Sequence, residues 1–300
     1  MRLTYERLKP LVDRVMVVTE ARQVSSLKDE LDELADEDFI VEPVARGTAN
    51  AYGLAAHAIA KADPLEVLLI SAADHVVSND DRYRDAVRRA LEVAETTGKL
   101  VAIGLKPTYP ATGFGYIRAA ASGQVEEFVE KPSLEKAEAY LESGRYFWNL
   151  SMFAWRAQAF LDELAATAPE LSDGLQKATQ NTQAYKDLPN EAVDYAVLEK
   201  SRNLLLVPAG FDWLDVGSWA ELHDLMQADE LGNTVHGEPA LIDTKGSLLS
   251  APGKLVAAIG VEDLIVVDTE HALLVLPKHR AQEVKRLVQL LKESGRTRYL

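Results

Sequence analysis

Two aspartates stand where a divalent cation could be held. Asp74 follows an apolar run at residues 67–71 that predicts a buried strand, and Asp215 lies between the tryptophans of the segment 213–219. The carboxyl ends of parallel strands open onto the ligand crevice of an α/β sheet, and Mg²⁺ takes oxygen ligands that it shares with substrate phosphates. Either aspartate could instead cap the segment that follows it. The spacing alone leaves both interpretations open, and only the fold can bring the two residues together.

Three further segments offer groups that suit a phosphorylated sugar. Lys131 follows a predicted strand and could neutralise a phosphate as a point charge, although most such lysines are exposed and paired with a neighbouring glutamate. Asn149 offers two donors and an acceptor to a hydroxyl, but its aromatic neighbours more often belong to a core. The glycines of residues 112–116 would let backbone N–H groups approach a ligand, or they make a plain turn.

The residue types exclude several other kinds of chemistry. The sequence has no cysteine, so disulfides, thiolate metal sites and cysteine nucleophiles are excluded. Its six histidines form no ligand cluster, and only His75 lies beside a candidate residue, Asp74. No serine lies in a nucleophile elbow. The candidate site residues are therefore carboxylates, a lysine, an asparagine and glycines.

Short apolar strands alternate with helices through most of the chain. This alternation is typical of a doubly wound α/β sheet, mixed but mostly parallel. After about residue 232 the helices give way to short strands, with turns at 244–246, 252–254 and 262–263, and a basic amphipathic helix at 279–294 closes the chain. We therefore expect an α/β domain at residues 1–231 and a small β unit with a closing helix at residues 232–300. In the first domain, strands are predicted at 14–19, 39–43, 67–71, 100–105, 114–117, 125–129 and 153–156, and helices at 3–12, 24–34, 48–62, 81–97, 134–143 and 157–168.

The composition is that of a soluble globular chain. It has 300 residues, of which 47% are hydrophobic and 26% charged. Lysine and arginine number 32 against 47 aspartates and glutamates, a net charge of −15, so nucleic acid and anionic membranes are not expected as partners. No apolar run approaches the ~18 residues of a membrane helix, and residues 1–10 lack the apolar core of a signal peptide. We expect a cytoplasmic location.

Seven segments, in this order, resemble the motifs of mannose-1-phosphate guanylyltransferases, a branch of the sugar nucleotidyltransferases. The resemblance runs from the first helix to the last and matches the form of the family with a short C-terminal β unit. The segments are Glu42–Ala49, Ala73–His75, Thr112–Ile117, Val129–Pro132, Trp148–Phe153, Asp194–Lys200 and Trp213–Trp219.

The resemblance implies a role for individual residues. Asp74 and Asp215 would hold Mg²⁺, and with Lys131, which would contact the sugar phosphate, they form the implied catalytic set. The implied ligands of the mannose hydroxyls are Gly113, Glu130 and Asn149. The implied lining of the guanine pocket is Glu42, Pro43, Arg46, Gly47 and Thr48.

The reaction that the resemblance implies is nucleotidyl transfer. A phosphate oxygen of mannose 1-phosphate would attack the α-phosphorus of GTP, giving GDP-mannose and pyrophosphate, and this chemistry needs positioning and charge neutralisation more than a nucleophilic side chain. Two alternatives remain: a sugar-1-phosphate nucleotidyltransferase that uses UTP or dTTP, and a non-catalytic paralogue that binds a nucleotide or a sugar. A homodimer is also left open.

Some positions depart from the family pattern. Ala72 replaces the usual proline and Phe114 the usual tyrosine. Gly47 replaces the usual asparagine in the implied base pocket, and Leu150-Ser151 replaces the usual Ser-Gly in the implied sugar pocket. Substrate identity is therefore less constrained than the class of reaction.

The largest departure concerns the start of the chain. The family opens with a strand and a Gly-Gly-x-Gly-x-Arg loop whose N–H groups cradle the triphosphate. Met1 falls inside the helix that follows this loop, so we expect the first strand to be missing and the reading frame to extend upstream by roughly 30 or more residues. The 300-residue chain would then turn over GTP poorly or aggregate. Strands near Arg14 and Val67 would face a gap or pair directly.

Overall fold

The computed structural model describes residues 1–299, which form two compact units. The first unit is Met1–Trp213, and the second begins at Leu214. The boundary predicted at residue 231 lies inside the second unit, where Trp219 and Ala220 pack against the β core of that unit. None of the helices within residues 1–299 is long and apolar enough to span a bilayer.

The first unit alternates helices and strands along the chain. Its helices are α1 (Arg2–Leu8), α2 (Val24–Glu30), α3 (Thr48–Ala60), α4 (Asp80–Thr97), α5 (Leu134–Ser143), α6 (Ala157–Thr167), α7 (Pro169–Ala178) and α8 (Thr182–Tyr185). Its strands are β1 (Val17–Glu20), β2 (Phe39–Glu42), β3 (Val67–Ile70), β4 (His75–Ser78), β5 (Leu100–Leu105), β6 (Tyr116–Ala119), β7 (Val125–Val129), β8 (Tyr146–Arg156), β9 (Leu204–Ala209) and the start of β10 (Asp212–Asp215). Most predicted elements are confirmed to within a few residues, because each carries a clear apolar run or periodicity.

Six strands form the main sheet in the order β7-β6-β8-β5-β9, with β3 also paired to β8. β5 and β9 are parallel, whereas β8 is antiparallel to β3, β5 and β6, and β7 is antiparallel to β6. It follows that β3, β5, β6 and β9 run in one direction and β7 and β8 in the other. The predicted mixed α/β sheet is therefore confirmed. Four of its six strands run in the same direction, but the sheet is not mostly parallel in its pairing as predicted, because β8 lies in its middle and runs against β3, β5 and β6.

β8 is longer than the sequence predicts, because the polar residues in its middle hide the strand pattern. The predicted segment 153–156 forms only its end. Phe153 pairs with both β5 and β3, and Trp148 pairs with both β5 and β6. β3 and β6 therefore share one edge of β8, and residues 149–152 lie between their ends. The pairing of β8 with β5 also shifts register within this stretch.

Helices cover both faces of the sheet. On one face, α3, α6 and α7 enclose a core in which Trp155 and Phe160 are fully buried and stack at 4.6 Å between ring centroids. On the other face lies α4, which ends at the left-handed Gly98. The buried residues of α4 recur at helical spacing and are Tyr83, Ala86, Val87, Ala90 and Ala94. These two layers enclose β8 in the middle of the unit.

The first two strands form a separate parallel pair. β1 pairs with β2, and their small core contains Tyr5, Val17, Leu31 and Phe39. Within the part of the chain that the structure describes, β1 does not pair with β3, which lies against β8.

The second unit is a small β domain, as predicted. Its elements are α9 (Trp219–Leu225), β11 (Thr234–Ile242), β12 (Leu248–Ile259), β13 (Leu264–Asp268), β14 (Leu273–Pro277) and α10 (Val284–Glu293). The turn predicted at residues 252–254 is instead a bulge inside β12, where its pairing with β11 shifts register. The closing helix starts later than predicted, after a 3₁₀ segment at Lys278–Glu283, and Leu287 on its predicted apolar face is exposed.

Candidate active site

Asn149 lies in the middle of β8 and is held by three hydrogen bonds. Its backbone N–H donates to Gly115 O at 2.8 Å, and its Nδ2 donates to Asp194 Oδ1 at 2.9 Å. Its Oδ1 accepts from the N–H of Ser151 at 3.1 Å, where the backbone turns through a positive φ of 51°. The side chain is 5% exposed, so these contacts determine how its amide is oriented.

Gly115 brings Glu130 next to Asn149. A Cβ at position 115 would lie 2.5 Å from Glu130 Oε2 and 3.1 Å from Asn149 Cβ, so a larger residue cannot be accommodated without displacing one of them. Gly113 differs, since a Cβ there would meet no atom within 4 Å. The structure therefore gathers Glu130 and Asn149 around Gly115, while the implied role of Gly113 stays a prediction.

Lys131 and Glu130 form the polar end of β7. Lys131 Nζ lies 3.2 Å from Glu130 Oε1; the lysine side chain is 58% exposed and the glutamate 8%. The backbone N–H of Glu130 donates to Glu199 Oε1 at 2.8 Å, and Lys131 adopts a positive φ of 46°. The predicted sequence pair is thus an ion pair with one buried and one accessible member.

Burial and a second carboxylate keep Glu130 from ionising easily. Desolvation and the nearby charge of Asp194 raise the pKa of Glu130 to about 7, against the opposing effect of Lys131. Burial also raises the pKa of Asp194. For Lys131, burial is outweighed by the contact with Glu130, and its pKa is raised. The exposed ammonium is screened by solvent, which explains why its lowering effect does not outweigh the rise in the pKa of Glu130 caused by burial and Asp194.

The residues around Gly115 form one polar cluster, and a second cluster forms where β2 ends and α3 begins. Glu42 is 8% exposed and accepts a hydrogen bond from the hydroxyl of Tyr185 at 2.6 Å, while burial raises its pKa. Pro43 follows it and is half-buried. Nη2 of Arg46 donates to the carbonyl of Lys186. One oxygen of Glu42 and part of the Arg46 guanidinium are thus already engaged within the protein.

The turn before α3 requires glycine. Gly47 has a φ of 82°, and a Cβ there would lie 2.4 Å from the carbonyl oxygen of Glu191. Ala49 N–H donates to that same carbonyl at 3.1 Å, and Thr48 Oγ1 accepts from Val193 N–H at 2.9 Å. The turn is thereby tied to the segment that leads directly into Asp194.

Asp74 lies at the carboxyl end of β3, as the sequence predicts, and its side chain is exposed. His75 begins β4, and its ring meets Trp213 edge-on at 5.2 Å between centroids. The hydroxyl of Ser78 donates to Asp212 at 3.2 Å. Asp215 is the last residue of β10 and belongs to the second unit.

Several residues of the site have no role predicted from the sequence. Asp194 starts a π-helical turn at Asp194–Leu198, a rare conformation often found at functional sites. Asp194 and Glu199 lie within Asp194–Lys200, one of the seven segments that resemble the family motifs. Gly115 likewise lies in the glycine-rich segment. Only Tyr185, in a polar stretch without a motif, gave no sign of its contact with Glu42.

Comparisons with known proteins agree with this architecture. A family model described as Nucleotidyl transferase matches residues 1–231, and one described as MannoseP isomerase/GMP-like beta-helix domain matches residues 237–291. Mannose-1-phosphate guanylyltransferase of Klebsiella pneumoniae is 38% identical over 305 aligned residues, covering 95% of this chain and 63% of that protein. Xanthan biosynthesis protein XanB of Xanthomonas campestris is 40% identical over 275, covering 86% and 58%. A solved structure described as mannose-1-phosphate geranyltransferase from Thermus thermophilus has a TM-score of 0.83 and 34% identity, covering 97% of this chain and 88% of that one.

The chain spans about three fifths of the length of these two curated relatives. The Nucleotidyl transferase match extends over the whole first unit and includes every candidate residue from Glu42 to Asp215. It covers well over half of the chain, so this chain belongs to the nucleotidyl transferase family.

Proposed function

We propose that the protein transfers a guanylyl group from GTP to mannose 1-phosphate, giving GDP-mannose and pyrophosphate. The observation that carries this proposal is the arrangement around Gly115. Glu130 Oε2 is buried and has no hydrogen-bond partner among the described residues, Asn149 has a second Nδ2 hydrogen, and the ammonium of Lys131 is exposed beside them. Such a set suits a ligand whose hydroxyls lie next to a phosphate. Relatives named mannose-1-phosphate guanylyltransferase support mannose as the sugar.

In this proposal each residue acts by positioning or by charge. Lys131 neutralises the phosphate of the sugar, whose oxygen attacks the α-phosphorus of GTP while the bond to pyrophosphate breaks. Glu130 and Asn149 hold sugar hydroxyls, with Gly113 presenting its open backbone nearby. Binding both substrates in line supplies most of the rate enhancement that such a site can offer.

We propose that the guanine base lies against the second cluster. Its lining would be Glu42, Pro43, Arg46, Gly47 and Thr48. Glu42 and Arg46 already contact the segment 185–186, so we expect their remaining polar atoms, rather than the whole side chains, to face the base.

We propose Mg²⁺ as the metal, held by Asp74 and Asp215. The donor set fits, because carboxylates are preferred ligands of this ion and Asp74 is exposed without an ion pair in the described part of the chain. Trp213 packs on His75, and two residues span at most about 7 Å, so the chain has the reach to bring Asp215 towards Asp74. When bound, Mg²⁺ would neutralise and align the phosphates of GTP. Asp74→Asn and Asp215→Asn should each weaken Mn²⁺ binding, measured by electron paramagnetic resonance, by at least about tenfold.

The proposed activity is tested by measuring the pyrophosphate released when mannose 1-phosphate is incubated with GTP, UTP or dTTP in parallel reactions. GTP should give the highest kcat/KM. Faster turnover with UTP or dTTP would favour a different nucleotidyltransferase. Binding of GTP or mannose 1-phosphate in calorimetry without any turnover would favour a non-catalytic binding protein.

We place the enzyme in the cytoplasm, which suits a chain without cysteine, and a homodimer is testable by light scattering on the same preparation.

Variants of Lys131 test whether this residue acts on the sugar phosphate rather than on the nucleotide. Lys131→Ala should raise the KM for mannose 1-phosphate and lower kcat by about 100-fold or more, because an unpaired phosphate charge remains in the transition state. Lys131→Arg should recover only part of this, since a planar fork does not replace a point charge. GTP affinity in calorimetry should stay within about threefold, and Lys136→Ala, which alters an exposed lysine of α5, serves as the matched control. A large loss of GTP affinity in Lys131→Ala would contradict the assignment.

A further inference from the structure

The side-chain amide of Asn149 has one allowed orientation. Its Nδ2 donates to the Asp194 carboxylate and its Oδ1 accepts from the N–H of Ser151. Turning the amide over would place Oδ1 against the carboxylate and Nδ2 against an N–H group, so both contacts would become repulsive. Because the side chain is buried, no water can compensate for those losses.

This orientation leaves a defined set of free groups. One Nδ2 hydrogen of Asn149 remains after the bond to Asp194, since an amide nitrogen carries two. Beside Gly115 as well, the buried Glu130 Oε2 lacks a partner among residues 1–299. A hydroxyl placed here could accept from Asn149 and donate to Glu130, and both buried groups would be satisfied at once.

Asp194 is itself held by the backbone around it. It is the first residue of the π-helical turn, and the N–H of Val193 just before it donates to Thr48 Oγ1 at 2.9 Å. Thr48 is also the first residue of α3. The carboxylate is therefore anchored to a helix start rather than to a free loop, as a group that orients another must be.

We propose that Asp194 is a positioning residue of the sugar pocket, which orients the Asn149 amide so that its remaining Nδ2 hydrogen meets a sugar hydroxyl. The second half of this statement rests on the proposed sugar 1-phosphate substrate. The first half concerns only the two side chains and is testable without substrate.

The substrate-free test uses the side-chain amide of Asn149 as a probe. Selective ¹⁵N labelling of asparagine gives one side-chain pair for each of the seven asparagines, and the pair absent from Asn149→Ala is assigned to residue 149. In the wild type, one Nδ2 proton should be shifted downfield and protected from solvent exchange. In Asp194→Ala the shift should be lost and exchange should accelerate at least about tenfold, because a charged acceptor is removed. Glu199→Gln removes a nearby charge without touching the Asn149 amide, so its Asn149 signals should stay in place.

The kinetic test separates positioning from a general structural role. Asp194→Ala should raise the KM for mannose 1-phosphate by about 10- to 100-fold and leave the KM for GTP within about threefold. Asp194→Asn keeps an oxygen that can accept from Asn149, so it should stay within about fivefold of the wild type. Asp173→Ala, an exposed aspartate of α7, is the control and should change neither constant.

Two results would overturn the proposal. One is an unchanged Asn149 side-chain spectrum in folded Asp194→Ala, or in Asp194→Leu, which also lacks an acceptor, if the alanine variant does not fold. The other is an equal rise in both Michaelis constants with a fall in melting temperature, which would indicate a structural role. If the wild type binds no sugar phosphate at all, the proposed function fails together with the substrate half of this proposal, whereas the spectra still decide whether Asp194 orients Asn149.

Discussion

At the scale of single residues, Glu130 gives the protein a distinctive pH dependence. Its pKa is about 7 in the folded protein, above the usual value of 4.5, because of burial and the charge of Asp194. The folded state therefore holds a proton that the unfolded state releases, and stability should fall as pH rises from about 4.5 to 7. This group should contribute a loss of at most about 3 kcal/mol across that window. Glu130→Gln cannot ionise and should lose this contribution.

The measurement is urea denaturation of the wild type and Glu130→Gln between pH 5 and 8. The variant should gain stability relative to the wild type as pH rises, even though Glu42 and Asp194, whose pKa values are also raised, give both proteins a slope of the same sign. Glu138→Gln, on the exposed side of α5, should leave the slope unchanged. Parallel curves for wild type and Glu130→Gln would show that Glu130 is ionised throughout the range.

At the scale of elements, the turn before α3 links the cluster of Glu42 and Arg46 to the cluster around Gly115. Gly47→Ala places a Cβ 2.4 Å from the carbonyl oxygen of Glu191 and strains a φ of 82°. The segment 191–194 must then move, and it carries both the hydrogen bond to Thr48 and the carboxylate of Asp194. We expect a loss of about 2–3 kcal/mol in stability and a rise in the Michaelis constants of both substrates.

Gly98→Ala is a matched control for the strain alone. Gly98 has a φ of 65° at the end of α4, but a Cβ there would meet no atom within 4 Å. Gly98→Ala should lower the free energy of unfolding by about 1 kcal/mol and leave both Michaelis constants unchanged. If Gly47→Ala behaves like Gly98→Ala in both assays, the turn does not couple the clusters.

At the scale of the whole molecule, stability comes from cores that the two units build separately. In the first unit, Phe160 of α6 is fully buried and stacks on Trp155 of β8. Phe160→Ala should lower the free energy of unfolding of this unit by about 3–5 kcal/mol, since it removes a ring from a closed core. Leu65→Ala, at a residue that is 60% exposed, should change it by less than about 0.5 kcal/mol. Tryptophan fluorescence in urea measures both, because three of the four tryptophans, Trp148, Trp155 and Trp213, belong to the first unit.

Local sequence determined most of the elements of this protein. β5 is a continuous apolar run and α4 repeats small and apolar residues at helical spacing, so each is recognisable without its neighbours. The β6–β7 hairpin is predicted by its Ser122-Gly123 turn. These features are local because hydrogen bonding and side-chain direction within one element depend on residues a few positions apart.

Only the tertiary structure decided how the site is assembled. Asn149 and Asp194 are 45 positions apart, and the hydrogen bond between them exists only because β8 runs through the middle of the sheet beside the π-helical turn. The polar residues Asn149 and Ser151 conceal β8 in the sequence for the same reason, since the partners that Asn149 bonds, Gly115 and Asp194, lie far along the chain. A buried polar group is stable only when a partner is supplied, and a sequence does not state which distant residue supplies it.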